Sequence, residues 1–310
     1  MRKSNIFETV TTKGALLPGD FLAKLSRNTD EVKFTSPQDY NHTGEKLNEV
    51  IARAWNTLQI NWSHFKKQDK KTTSITRERW LIPLFRELEY GNLKKAAKHT
   101  VDQKDYPISH TRDNVPIHLL GAQIELDKRT PNKTKQIPHS MMQEYLNKNE
   151  TPTWGILSNG IKLRVLRENS SMTRQAFIEF DLEKMMESQS YSDFTLLFLI
   201  CHESRFTKQT NQKQIIELWS EAARKAGIRA LDSLRTGVKA AIESLGKGFL
   251  NNQNIRNKLR DNPEFKQDYY RQLLRAVYRM IFLLTAESRD LLLDPKEPRL
   301  YNITIIKEFL

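Results

Sequence analysis

The sequence predicts an α+β domain followed by an all-α connector. Three features carry that expectation. Apolar residues recur at three- and four-residue steps before residue 90, alternating segments with turn signals fill roughly 113–182, and helical spacing returns from 193 onward. The expected division is an N-terminal arm over 1–45, an α+β domain over 46–192 and a helical connector over 193–310.

The arm is polar and turn-rich, with one apolar cluster at Leu16, Leu17, Phe21 and Leu25 that predicts a short helix. From Gly44 to about Lys67, the residues Leu47, Val50, Ile51, Ala54, Trp55, Leu58 and Trp62 mark one face of a helix. A second helix is expected to begin near Thr76, with Pro83 in its first turns or at a kink and Tyr90-Gly91-Asn92 ending it. Residues 92–112 read as basic and irregular. VPIHLLGAQIELDK alternates like a strand with a bend at Gly121, and RTPNKTKQIP reads as a loop. HSMMQEYLNKN reads as a helix. WGILSNGIKLRVLRE reads as two strands joined at Asn159-Gly160, a strong hairpin signal. QAFIEFDL places Ala176, Ile178 and Phe180 on one side and Phe177 and Glu179 on the other. DFTLLFLICHESRF predicts a buried helix, residues 212–245 a long amphipathic one stopped at Gly246-Lys247-Gly248, and DYYRQLLRAVYRMIFLLTAESRDLLL a last long one.

Composition narrows the function classes. The chain has 310 residues, a formal net charge of +13 and a pI near 9.6. Such an excess favours polyanions, of which nucleic acid is the commonest. No run of about 18 apolar residues is present, so no membrane span is expected. The basic start lacks the apolar core of a signal peptide. The single cysteine, Cys201, excludes an internal disulfide and a cysteine-based zinc cluster, and predicts a cytoplasmic protein with an inert core thiol.

The stretch AQIELDKR over 122–129 raises the question of catalysis. A magnesium nuclease needs carboxylate oxygens on the metal and benefits from a nearby lysine. A common arrangement has an Asp at the start of a hairpin and Glu-x-Lys on the following strand. If 122–129 is a strand, Glu125 and Asp127 share a face while Lys128 points away. The upstream acid is then Asp113. Asp113, Glu125 and Asp127 could hold a metal, but the lysine is missing unless a bulge or a neighbouring-strand lysine such as Lys162 supplies it. The alternative is that Glu125 and Asp127 are strand-end carboxylates paired with Lys and Arg.

Longer segments carry a resemblance. PHSMMQEYLNKNETPTWGILSNGIKLRVLRENSSMTRQAFIEFDLEKMM, TRERWLIPLFRELEYGNL, PISHTRDNVPIHLLG and DYYRQLLRAVYRMIFLLTAESRDLL span most of 45–293. They resemble the N-terminal region of type IIG-like adenine-specific DNA methyltransferases, and above all the methyltransferase subunit of DISARM-like phage-defence systems. The resemblance implies a PD-(D/E)XK nuclease-like sheet flanked by helices, then a helical connector, then a methyltransferase domain. It implies Asp113, Glu125, Asp127 and Gln143 as the nuclease positions, the first three as metal ligands if the site is active. Nuclease-active members end in Glu-x-Lys, whereas this chain reads Glu-Leu-Asp-Lys, which implies a degenerate site kept for DNA binding or for docking.

The methyltransferase loop Asn-Pro-Pro-Tyr does not occur. Asn262-Pro263-Glu264 is the nearest string, and Gly246-Lys247-Gly248 follows a helix rather than a strand. S-adenosylmethionine is therefore expected only in a methyltransferase domain outside this chain, and magnesium only if the nuclease positions are active. The ending PRLYNITIIKEFL favours a fragment of a larger protein over a separate subunit. The expected partners are double-stranded DNA and a methyltransferase domain or other defence-system subunits, with no membrane. The active endonuclease and a protein-docking scaffold remain the alternatives.

Phosphate contacts are expected from Lys128, Arg129, Lys133 and Lys135, beside the carboxylates. Lys66, Lys67, Lys70 and Lys71 form a second basic cluster, and Arg271, Arg275 and Arg279 a helical stripe that could meet the methyltransferase domain. Each could instead be a solvated face.

Overall fold

The computed structural model describes residues 7–14, 16–27, 31–68, 72–97, 99–149, 153–169, 175–207, 209–210 and 213–288. The chain divides into two compact units, Ile6–Arg224 and Met1–Asn5 with Lys225–Leu310. Lys70 and Lys71 lie outside the described residues.

The first unit opens with strand β1 (Val10–Lys13), helix α1 (Gly19–Ser26), a 3-10 turn (Pro37–Tyr40) and α2 (Leu47–Lys66). β1 lies within the segment read from sequence as an arm, and it is an edge strand of the main sheet. Thr9 fastens this segment to the core by donating its N–H and Oγ to the buried Asp193 carboxylate at 2.8 and 2.7 Å. Next come α3 (Thr73–Thr76), a π-turn (Arg77–Leu81) and α4 (Ile82–Glu87). The helix starts earlier than the sequence predicts. Thr72 is the N-cap, with its hydroxyl accepting from the Ile75 N–H, while Thr76 is buried inside the turn. The Ile82 N–H reaches back five residues to the Arg77 carbonyl. That wider turn precedes Pro83, whose ring would crowd the ordinary helical carbonyl ladder.

The stretch 92–112 is more regular than expected. It holds β2 (Lys94–Lys95), the hairpin of β3 (His99–Val101) and β4 (Lys104–Tyr106), and β5 (His110–Arg112). β6 (Val115–Leu119) follows, then α5 (Pro138–Lys148), β7 (Trp154–Ser158), β8 (Lys162–Arg167) and β9 (Phe177–Asp181). The unit continues with α6 (Leu182–Glu187), α7 (Tyr191–Cys201), α8 (Ser204–Thr207), the small pair β10 (Gln209–Thr210) and β11 (Lys213–Gln214), and the start of α9 (Ile215–Phe249).

The seven-stranded sheet has the order β1-β9-β8-β7-β6-β5-β2. Its neighbours are antiparallel except β6 and β7, which run parallel because α5 crosses over between them. Alternation sorts the strand side chains into two cores. Val115, Ile117, Leu119, Trp154, Ile156, Leu163, Val165, Ile178 and Phe180 face the main core, packed with α1, α2, α4 and α7. Leu157, Leu166 and Phe177 face the other, where α5 brings Met141, Met142, Tyr145 and Leu146. Cys201 is fully buried in the main core, and burial pushes its thiol far up, so it is inert.

The expected strand over 115–128 stops at Leu119. Residues 120–137 form no strand. The Leu120 N–H still donates to the Ser158 carbonyl at 2.8 Å, and then the chain leaves the sheet. Gly121 passes so close to Thr73 that a Cβ would lie 2.9 Å from the Thr73 backbone nitrogen. Beyond it, Ile124 and Leu126 are buried in the second core while Glu125 and Asp127 are exposed. The alternation is real, but it reports burial rather than a ladder. Asn159 is the main fastener. Its Nδ2 donates to the Ile124 carbonyl at 2.7 Å, and its Oδ1 accepts from the Ile161 and Lys162 N–H groups at 3.0 and 2.8 Å. The β7–β8 turn is thus centred on Gly160 and Ile161, one residue later than expected.

In the second unit, α9 runs through Gly246 and Gly248 to Phe249. Tyr269 donates to the Gly246 carbonyl at 2.6 Å, and a Cβ there would crowd Leu273. α10 (Gln253–Asp261) and α11 (Pro263–Ser288) follow. Asn262 caps α11 by accepting from Glu264 and Phe265, which assigns Asn262-Pro263-Glu264 a helix start. None of the helices in the described residues is long and apolar enough to cross a membrane.

Asn159→Ala removes three hydrogen bonds and leaves the Ile124 carbonyl without its donor. The expected cost is about 2–3 kcal/mol in urea unfolding. Limited trypsin digestion should also cut faster at the exposed Lys128, Arg129, Lys133 and Lys135, because the segment loses its anchor.

Candidate functional site

Arg164 lies on β8 facing α5, with only 3% of its side chain exposed. Across the β8–β9 ladder, Arg164 is paired with Glu179. Its Nε donates to Glu179 Oε2 at 2.5 Å, and its two terminal nitrogens grip Asp127 Oδ1 and Oδ2 at 2.6 and 2.5 Å. Lys162, two residues earlier on the same face, donates to Glu179 Oε1 at 2.9 Å. The guanidinium carbon also stands 4.4 Å from the centre of the Phe177 ring. The result is a chain of alternating charge, Asp127–Arg164–Glu179–Lys162.

Its electrostatics follow from the contacts. Burial pulls the Arg164 guanidinium down, and the bonds from Asp127 and Glu179 outweigh this, leaving it above its ordinary value. Hydrogen bonding to Arg164 holds Asp127 below the usual carboxylate range. His139, on α5, sits over this pair with Nδ1 3.2 Å from Arg164 and 2% of the residue exposed. Burial, assisted by Arg164, lowers it to about 4, so it is neutral at pH 7.

All oxygens of Asp127 and Glu179 accept from a cation. A magnesium ion would have to displace a bidentate arginine held in a nearly closed site. The remaining candidates lie elsewhere. Asp113 is at the tip of the β5–β6 turn with φ of 50°, before the start of β6, whereas Glu125 and Asp127 leave its far end. Glu125 is exposed and pairs with Lys128 at 2.9 Å. The expectation that Lys128 points away from the acids therefore fails, because no strand imposes alternation there. Gln143 donates to the Arg167 carbonyl and to Asn147 Oδ1, each at 2.9 Å, so it fastens α5 to the end of β8. Lys128, Arg129, Lys133 and Lys135 are all exposed on the 120–137 segment.

Two signals escaped the sequence reading. Arg164 and Glu179 reveal themselves only once the β8–β9 register is known. Separately, His42, Glu89 and His202 converge from three turns, with ring nitrogens 3.0 and 3.4 Å from the Glu89 oxygens. The Ser204 N–H donates to His202 Nδ1 at 3.3 Å, which makes Nδ1 the acceptor and leaves the proton on Nε2, facing Glu89. In that tautomer His202, lowered chiefly by burial, is a neutral imidazole facing the Glu89 carboxylate, a polar contact between the turns.

Arg164→Ala removes both donors to Asp127 and leaves Glu179 with Lys162 alone. The expected loss is about 3 kcal/mol. The pH dependence has a definite sign. His110, His118 and His139 are each lowered, chiefly by burial, from 6.5 to about 4. Between those values the unfolded chain holds more protons, so stability falls as pH drops through that window. Each imidazole adds a slope of up to about 1.4 kcal/mol per pH unit. Unfolding midpoints measured from pH 7 to pH 4 should show this decline, and His139→Gln should flatten it.

No family model matches the chain, and no match was found among curated proteins or solved structures.

Proposed function

We propose that the first unit is a DNA-binding module of a restriction-modification or phage-defence DNA adenine methyltransferase, built on a nuclease-like sheet whose carboxylates do not hold a metal. The observation that carries this reading is the Arg164 network. The acid nearest the expected catalytic edge, Asp127, spends both oxygens on Arg164, and Glu179 is shared between Arg164 and Lys162. The β5–β6 hairpin, the α5 crossover and the β7–β8 pair follow the order that the resemblance implies, which supports the nuclease-like part of the reading. The net charge of +13 and the exposed basic run beside the network support a polyanionic partner.

The second unit favours a docking role. α11 exposes Tyr278 by 71% and Phe282 by 61%, next to the exposed Arg271, Arg275 and Arg279. A mixed apolar and arginine face suits a protein partner such as the methyltransferase domain.

The test is duplex DNA binding by fluorescence anisotropy at several salt concentrations. Affinity should fall steeply with salt. Replacing Lys128, Arg129, Lys133 and Lys135 together by Ala should reduce the slope of log K against log salt by about 3–4. Absent or salt-indifferent binding would overturn the reading in favour of a pure scaffold. Cutting that requires magnesium or manganese and disappears in Asp127→Ala would replace it with an active endonuclease.

A further inference from the structure

One feature of the first unit not yet accounted for is a cavity of about 720 Å³ between β4, β6, the start of α5 and the 133–138 segment. Its volume falls within the roughly 300–1,000 Å³ usual for small-molecule sites. One wall is apolar and aromatic, formed by Tyr106, Ile108, Leu120, Ile124 and Met141. Tyr106 is fixed there by donating to Glu144 Oε1 at 3.0 Å. The rest includes Arg77, Lys104, Lys133 and Lys135.

The cations lack matching anions. Arg77 lines the cavity half-buried, and its Nε donates to the Leu119 carbonyl at 2.8 Å. A second Arg77 nitrogen donates to the same carbonyl. This leaves most of the fork unspent, because a guanidinium carries five N–H groups. Among the described residues, no carboxylate is within ion-pair distance of Arg77, Lys133 or Lys135. Lys104 also lines the cavity, but it is neutralised by both Glu144 oxygens at 2.7 Å. The acid on the lining, Asp105, accepts from Thr100 at 2.7 Å. His118 lines the same space, is 6% exposed, and its Nδ1 has no hydrogen-bond partner. A buried, unpartnered imidazole beside a half-buried arginine and an open volume is a costly arrangement unless something fills it.

We propose that this cavity binds a nucleoside phosphate, with the phosphate held by Arg77, Lys133 and Lys135 and the base lying against Tyr106, Ile108 and Met141. His118 is within the lining to serve as a polar contact for the sugar or base. The guanidinium fork suits phosphate oxygens, and an aromatic ring suits the face of any base. The ligand could be a free mononucleotide or one nucleotide of a DNA strand turned out of its stack. The chemistry is the same for both. This inference shares Lys133 and Lys135 with the duplex reading but differs from it in requiring Arg77, Tyr106 and His118 of the cavity and a single nucleotide.

Isothermal titration calorimetry on the full chain tests it with three probes: 2′-deoxyadenosine 5′-monophosphate, inorganic phosphate and deoxyadenosine. The mononucleotide should bind at least about ten-fold more tightly than either part alone, because only it engages both walls. Ile108→Trp fills the cavity and should abolish binding. Should that variant fail to fold, as judged by circular dichroism, Lys133→Ala with Lys135→Ala, both at exposed positions, should weaken binding about ten-fold. A short single-stranded oligonucleotide that displaces the mononucleotide assigns the site to strand nucleotides, and failure to displace assigns it to free nucleotide; either result supports the site. Equal affinity for phosphate and mononucleotide would overturn the proposal, as would binding unchanged in a folded Ile108→Trp variant or in the lysine pair. Loss of duplex binding with mononucleotide binding intact would sink only the duplex reading.

Discussion

The Arg164 guanidinium is the constraint around which the α5 side of the sheet is arranged. It projects from a central strand into a nearly closed space, where an unpaired charge would be very costly. Its partners come from places far apart in sequence: Glu179 from the adjacent strand and Asp127 from the segment that has left the sheet. The pair with Asp127 therefore does structural work, holding an irregular segment against the strands. His139 and Phe177 close the space around it, which strengthens each charge-assisted bond by excluding water.

This arrangement gives the carboxylates a different meaning from the one their sequence context suggests. An acid beside a basic cluster can serve either as a metal ligand or as a counter-ion. The decision rests on whether its oxygens are free. Here a planar, bidentate partner occupies Asp127, a geometry that lysine could not reproduce. Near the sheet, Arg129, Lys133 and Lys135 on the exposed segment and Arg77 at the cavity have no carboxylate partner among the described residues. The same fold thus separates two kinds of cation: those spent on internal acids and those without an acid partner.

Much of the architecture was legible in the sequence. The helical face through Val50, Ile51, Ala54, Leu58 and Trp62, the strand pair around Asn159-Gly160, and the two-sided pattern of 176–180 all appear as expected, because each is set by local periodicity and burial. The failure at 120–128 is instructive. Period-two alternation says which side chains are buried, and a chain can meet that demand without ladder hydrogen bonds if side chains such as Asn159 supply the missing partners. The candidate site suffered directly, since the inferred directions of Glu125, Asp127 and Lys128 depended on a strand. Short elements over 94–112 were missed because two- and three-residue strands carry too little pattern to detect. Arg164 was missed because its importance is a property of strand register, which is non-local.

The segment between Leu126 and Pro138 is secured at its ends and little in between. The His139 N–H donates to the Leu126 carbonyl at 3.0 Å, and the other backbone hydrogen bonds within the stretch are local, from Lys133 and Thr134 to Thr130. Lengthening such a closed loop costs little, about 0.6 kcal/mol for each doubling. Insertions or exchanges of charged residues beyond Asp127 would leave the Arg164 network untouched. The fold has in effect placed four exposed cations on a stretch that the sheet does not need for its ladders, so that surface can change in evolution while the sheet beneath stays the same.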